Sequence, residues 1–121
     1  MAETWADPKS VEDEDEFFDM ANLPPDFTGL PMVVWVSERG RSRHDVRVKV
    51  SLIRGPRARP DRMTSVSVRP NIEVVAGPPL SADDLVLVRR WIELNRDTIL
   101  DYWSGRIYTN ELIARLQPIS P

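Results

Sequence analysis

The sequence contains no cysteine and only one histidine, His44. Disulfide bonds and thiolate metal sites are therefore excluded, and a zinc site would need several carboxylates or a partner chain. We accordingly predict neither a metal site nor a cofactor. The chain also lacks any apolar run near the ~20 residues that span a bilayer, and its acidic start has no apolar stretch typical of a secretory signal. These absences predict a cytoplasmic protein that does not enter a membrane.

Lysine is almost missing as well, because the basic side chains are fourteen Arg and two Lys. Arginine favours bidentate contacts with carboxylates or phosphates, although a GC-rich genome would produce the same bias. The charges are also segregated along the chain. Residues 1–27 carry nine Asp or Glu against Lys9 alone, whereas residues 37–69 carry ten basic residues against three acids. This asymmetry indicates a charged partner.

A length of 121 residues fits a single domain. We predict that residues 1–27 form an acidic tail, disordered or weakly helical, and that residues 28–121 form one domain. Trp5 and the Phe17–Phe18 pair are unusually apolar for such a tail. They either dock on the domain without a role of their own or form a short acidic, aromatic docking motif.

Alternating and apolar stretches in the first part of the domain predict strands over Met32–Ser37, His44–Ile53 and Met63–Arg69. Ile72–Ala76 is either a bend in the last of these or a separate strand, because Pro70 interrupts the pattern. Side-chain alternation along His44–Ile53 places His44 with Val46 and the other valines, and places Asp45 on the opposite side.

One long amphipathic helix is predicted over Leu80–Gly105, with Ser81 as its N-cap and Ile92 and Ile99 on its buried face. A short helix capped by Thr109 and stopped before Pro118 follows. The predicted fold is therefore α+β: a three- to four-stranded antiparallel sheet, the long C-terminal helix packed on one face and a short terminal helix. The other face of the sheet is expected to be open and basic.

Basic residues are expected to project from that open face and from the loops at its two ends. The predicted binding residues are Arg39, Arg41, Arg43, Arg47, Lys49, Arg54, Arg57, Arg59, Arg62 and Arg69. An anionic partner, either a nucleic acid or an acidic protein, is their physical counterpart. We expect no aromatic side chains among them, and the sequence has no helix-turn-helix, zinc-finger or glycine-rich phosphate motif.

Two polar residues within the predicted elements need a separate interpretation. His44 is either a core residue at the end of its strand or a general acid or base. Asn95 lies on the apolar stripe of the long helix, where a buried amide must find hydrogen-bond partners. We predict that Asn95 ties the helix to a strand edge or to a loop carbonyl.

Three segments together resemble a known family: Arg43–Val48, Gly77–Leu80, and Trp91–Arg96 with Ile99–Trp103. They are similar to a small bacterial family of unknown function that has a histidine-containing hairpin followed by a helix ending in a Trp…Leu-Leu-x-x-Trp pattern. The resemblance implies an α+β fold and a place in toxin–antitoxin-like pairs.

The leading functional prediction is a non-enzymatic binding module that holds an anionic partner on its basic face. A small ribonuclease, with arginines stabilising the phosphorane and His44 as acid or base, is the enzymatic alternative. A third alternative is a protein-interaction adaptor that acts through the acidic tail with Phe17 and Phe18. A sheet edge could also pair with a second copy of the chain.

Overall fold

The computed structural model describes residues 20–120, which form an open antiparallel sheet with a long helix against one face. The strands are β1 (Met20–Leu23), β2 (Met32–Ser37), β3 (Arg47–Arg54), β4 (Met63–Ser67) and β5 (Val74–Ala76). The helices are α1 (Pro25–Thr28), α2 (Ala82–Trp103) and α3 (Thr109–Arg115). The fold is α+β, as the sequence predicts. No helix among residues 20–120 is long and apolar enough to cross a membrane.

The five strands lie in the sheet in chain order, and each is antiparallel to its neighbours. Because side chains alternate along a strand, the register sorts them onto two faces. The helix face carries Val34, Val36, Val48, Val50 and Val66. The second face carries Val33, Trp35, Lys49, Ser51 and Ser65.

Helix α2 supplies the other half of the core on the helix face. Its cap is the predicted one, because the Ser81 hydroxyl accepts a hydrogen bond from the Asp84 N–H at 3.1 Å. Ile92 and Ile99 are fully buried in the same cluster as the helix-face valines. The helix ends at Trp103, whose carbonyl accepts a hydrogen bond from the Arg39 N–H at 2.9 Å. Helix α2 therefore packs on the sheet and completes the core on its helix face.

The domain begins earlier than the sequence predicts. We expected the acidic tail to reach residue 27, but Met20–Leu23 forms edge strand β1, and Leu23 is only 1% exposed. Its register runs from Met20 opposite Ser37 to Leu23 opposite Val34. A four-residue strand is too short for its own periodicity to show, and pairing with β2 supplies its order. Residues 1–19, with Trp5, Phe17 and Phe18, lie outside the described residues.

The start of β3 differs from the prediction, and the end of β4 decides whether Val74–Ala76 is a separate strand. Strand β3 begins at Arg47 rather than His44, because residues 38–46 form a loop that contains a turn. Strand β4 ends at Ser67, and Val74–Ala76 pairs with it as a separate antiparallel strand. Together with β1, this separate strand raises the predicted three or four strands to five. At the last helix, Tyr108 rather than Thr109 occupies the N-cap.

Asn95 fastens the C-terminal segment to α2, which confirms the predicted anchoring to a loop. Its amide nitrogen donates to the Gln117 carbonyl at 2.9 Å, and its amide oxygen accepts from the Gln117 N–H at 2.8 Å. The segment continues to Ile119, whose N–H donates to the Thr28 carbonyl. Gly29 permits this approach, since a Cβ there would lie 2.1 Å from the Ile119 oxygen. The C-terminal segment therefore bridges α2 and the turn after α1.

Candidate nucleic-acid interface

The ten predicted binding residues do not form one patch, because most of them lie at two ends of the sheet. At one end, β2 stops and β3 starts; this basic end comprises Arg39, Arg41, Arg43, Arg47 and Arg69. The opposite end comprises Arg54, Arg57, Arg59 and Arg62. The eight residues of β3 separate the two by about 23 Å at ~3.3 Å per residue. A short anionic ligand could therefore contact only one of the two ends.

The opposite end is partly neutralised by its own carboxylates. Arg54 forms an ion pair with Asp84 in the first turn of α2. Arg59 forms a two-point contact with Asp61, with nitrogen–oxygen distances of 3.0 and 3.1 Å. Within the described part of the chain, only Arg57 and Arg62 of this group lack a carboxylate partner.

The loop at the basic end holds its arginines in solvent. A turn is closed by the Ser42 N–H donating to the Arg39 carbonyl at 2.8 Å, and Gly40 takes the positive φ of 47° that this turn uses. The Arg39 N–H is fixed to the end of α2, as described above. Arg39, Arg41 and Arg43 are all exposed. The fold therefore displays three guanidinium groups on a loop that is anchored to the core.

Arg69 differs from these three because Asp45 already binds it. Both guanidinium contacts are short, at 2.9 and 3.0 Å. The hydrogen bonds from Arg69, followed by one from the Val46 N–H, hold the pKa of Asp45 below its ordinary value. The same pair raises the pKa of Arg69. The guanidinium groups of Arg39, Arg41 and Arg43 would therefore be more available to a phosphate than that of Arg69.

His44 lies in the loop before β3 rather than in the strand, and it packs at the edge of the core. Its ring stacks on Trp103 with centroids 6.1 Å apart and planes inclined by 21°. Its Nδ1 lies 2.7 Å from the backbone carbonyl of Asp45. The Asp45 carboxylate binds Arg69 instead, so the two neighbours form no side-chain dyad. The half-buried ring thus has a structural contact and also reaches the surface.

An open polar cleft brings the groups of this loop together. It is lined by Arg39, Ser42, Arg43, His44, Asp45, Arg69 and Trp103. Guanidinium, hydroxyl and imidazole groups are donors that suit the oxygens of a phosphate or a carboxylate. Among residues 20–120, no three His, Asp or Glu side chains are placed to hold a metal ion. The cleft therefore has the chemistry of an anion site.

The second face contradicts our expectation of an open, basic face without aromatic side chains. Trp35 lies directly opposite Lys49 on this face, and Trp35 is only 3% exposed. Val33 and Ser51 are buried as well, at 2% and 1% exposed, while Lys49 is half-buried. Alternation along β2 shows that Trp35 and Val34 point to opposite faces. Only the pairing register between β2 and β3 shows that Trp35 shares its face with Lys49. An apolar strip with basic residues beside it replaces the predicted open basic surface.

Comparison with known proteins yields no family model, no curated protein and no solved structure that matches this chain. The resemblance to the histidine-containing hairpin family therefore stays a prediction. What the geometry defines is a class: a small α+β domain with an arginine-rich end and an aromatic residue on the adjoining sheet face.

Proposed function

We propose that this protein is a non-enzymatic binding module that holds a nucleic acid at the basic end of its sheet. The observation that carries the proposal is the anchored loop with Arg39, Arg41 and Arg43 in solvent. Three cations within five consecutive residues of one loop suit neighbouring phosphates of one strand, and neutralising phosphates releases counterions. The resemblance suggests a toxin–antitoxin-like pair as the biological setting.

The lining of the cleft supports a nucleic acid over a purely acidic peptide. Next to the arginines lies the half-buried ring of His44, which stacks on the buried ring of Trp103. An aromatic ring beside cations is the combination by which proteins hold unpaired bases and their backbone together, and His44, not Trp103, is the ring that a base would contact. A carboxylate-rich peptide would use only the cations.

The test compares the two ends of the sheet by fluorescence anisotropy with a labelled single-stranded RNA of mixed sequence. The basic-end variant combines Arg39→Gln, Arg41→Gln and Arg43→Gln. The matched control combines Arg57→Gln, Arg59→Gln and Arg62→Gln, which removes the same charge from the opposite end. We expect the basic-end variant to lose at least about tenfold in affinity and to show a shallower salt dependence, since each lost phosphate contact lowers the slope by ~0.7.

Equal losses in the two variants would mean that net charge, and not the basic end, governs binding. Absence of binding by the wild type, with an acidic polypeptide bound instead, would replace nucleic acid with an acidic protein as the partner.

One observation favours a second function, that of a small ribonuclease. His44 shares its cleft with Arg39 and Arg43. Its imidazole would take the proton of a ribose 2′-hydroxyl, solvent water would protonate the leaving 5′-oxygen, and the guanidinium groups would stabilise the phosphorane. The same RNA is therefore analysed for fragments after incubation with the wild type and with His44→Ala. Cleavage that disappears in the variant would establish the ribonuclease. Intact RNA in both samples would exclude the ribonuclease and retain the binding module.

A further inference from the structure

The second face has a buried centre although the described helices pack on the other side. Val33, Trp35 and Ser51 are each at most 3% exposed. The buried apolar side chains of α2 and α3 belong to the core on the helix face, and neither Val33 nor Trp35 is part of that core. A covering layer on the second face is the arrangement that accounts for an apolar strip of this kind.

The position of β1 shows where the preceding chain enters this surface. Met20 pairs with Ser37, the last residue of β2, so residue 19 adjoins the basic end of the sheet. Trp35 and Ser37 have the same parity on β2, which places Met20 on the second face. Nineteen extended residues reach ~60 Å, more than twice the length of β3, so the segment is long enough to turn back across the whole face.

The composition of residues 1–19 complements the second face. They carry eight Asp or Glu against Lys9, and they include Trp5, Phe17 and Phe18. The face offers the apolar strip of Val33 and Trp35, with Arg47 and Lys49 beside it. A tethered segment also meets its site at an effective concentration near the millimolar range, so weak contacts are sufficient. At physiological ionic strength the screening length is ~8 Å, and close contacts of this kind persist.

We propose that residues 1–19 fold back over the second face, with Phe17 and Phe18 on the Val33–Trp35 strip and the carboxylates beside the basic residues. A nucleic acid bound at the basic end would continue onto the second face. The segment occupies that face and therefore acts as an internal competitor of the nucleic acid. The docking itself is independent of the proposed function; only the competition rests on it.

The absence of cysteine allows a direct test in the full chain. Ser10→Cys gives one attachment point for a nitroxide, which broadens the NMR signals of nearby amides. We expect the amides of Trp35, Ser51 and Ser65 to lose most of their intensity, while those of Glu93 and Asp97 on the exposed side of α2 keep theirs. Broadening of neither set, or of both sets equally, would overturn the docking.

Two variants separate the contributions of the segment. Phe17→Ser with Phe18→Ser should restore the second-face signals in the labelled protein. A second variant replaces three carboxylates of the segment, through Glu14→Gln, Asp15→Asn and Glu16→Gln. It should restore the second-face signals in part. A matched control removes the same charge from the surface of the domain, through Glu73→Gln, Glu93→Gln and Asp97→Asn. Because this control makes the domain less negative, it should leave the second-face signals broadened. If it restores them as far as the segment variant does, the carboxylates do not act through a contact with the second face.

The occupant is identified by mixing two samples. Protein that carries the nitroxide but no ¹⁵N is added to protein that carries ¹⁵N but no nitroxide. Only contacts between molecules can then broaden the signals. We expect no broadening in the mixture. Broadening there would mean that the segment of a second copy covers the face, and the intramolecular proposal would be wrong. All of these outcomes are read without RNA, so they hold whether or not the protein binds a nucleic acid.

Discussion

The two faces of the sheet are built from neighbouring residues of the same strands but have different chemistry. On the helix face, Val34 and Val50 meet across β2 and β3 and belong to the same buried cluster as Ile92 and Ile99 of α2. On the second face, one residue along, Trp35 lies opposite Lys49. Both valine neighbours on β2, Val33 and Val34, are at most 2% exposed.

Burial alone therefore does not distinguish the faces; the polarity of the surroundings does. The helix face is closed mainly by apolar side chains, with the buried Thr64 hydroxyl bonded to the Ala76 carbonyl, and its burial contributes stability. The second face mixes an apolar strip with hydroxyl groups from Ser51 and Ser65 and with basic residues at its margin. A surface of that mixed kind is typical of an interface, where apolar and polar contacts alternate.

The largest expected effect concerns the closed helix face. Ile99→Ala should lower the free energy of unfolding by about 2–5 kcal/mol, because a fully buried aliphatic side chain is truncated in a packed core. Urea unfolding of wild type and variant measures the difference. Leu94→Ala, on the exposed side of the same helix, is the control and should change stability little. A loss below ~0.5 kcal/mol for Ile99→Ala would mean that the helix face is not the main source of stability.

A smaller effect compares the faces directly at adjacent positions. Val34→Thr places a hydroxyl among apolar groups and should cost about 1–3 kcal/mol. Val33→Thr should cost less than ~1 kcal/mol, because the second face already carries the hydroxyls of Ser51 and Ser65. Both variants keep the shape and the strand propensity of valine, so urea unfolding reports the polarity of the surroundings. Equal costs would remove the distinction between the faces.

The smallest effect belongs to the surface pair of Asp45 and Arg69, whose side chains are 53% and 49% exposed. Exposed pairs contribute about 0–1 kcal/mol. Since Arg69 lowers the pKa of folded Asp45, this contribution is present above the pKa of the unfolded chain and disappears as the pH falls through the folded value. Asp45→Asn should therefore be slightly less stable than wild type near neutral pH and equal to it in strong acid. A difference that grows as the solution is acidified would contradict the assignment.

Much of the fold could be predicted because local patterns carry it. The cap at Ser81, the buried face with Ile92 and Ile99 and the backbone anchoring by Asn95 all follow from helical spacing and hydrogen-bond requirements. Strand β1 could not be predicted in the same way. Its four residues acquire order only by pairing with β2, which is a contact between segments and not a local pattern.

The candidate site was only partly predictable for the same reason. Sequence placed the arginines on loops at the two ends, but the neutralisation of Arg54 by Asp84 joins residues thirty positions apart. The place of Trp35 opposite Lys49 depends on the register between β2 and β3. Such contacts are set by tertiary pairing, which the segregation of charge along the chain does not reveal.

We propose that the acidic segment on the second face competes with a nucleic acid that binds at the adjoining basic end. Deleting residues 1–27 would remove β1 and its buried Leu23. The test therefore uses full-length chains: wild type, Phe17→Ser with Phe18→Ser, and Tyr108→Ser as a control at an exposed aromatic residue.

The decisive measurement is a salt-series titration of these three proteins with labelled single-stranded RNA. At low salt the Phe17→Ser, Phe18→Ser protein should bind more tightly than wild type, because its competitor is weakened, and the Tyr108→Ser protein should match wild type. All affinities should fall as salt rises, and the gain should shrink, because phosphate contacts release counterions. Equal affinity of the phenylalanine variant and the wild type at low salt would contradict the account.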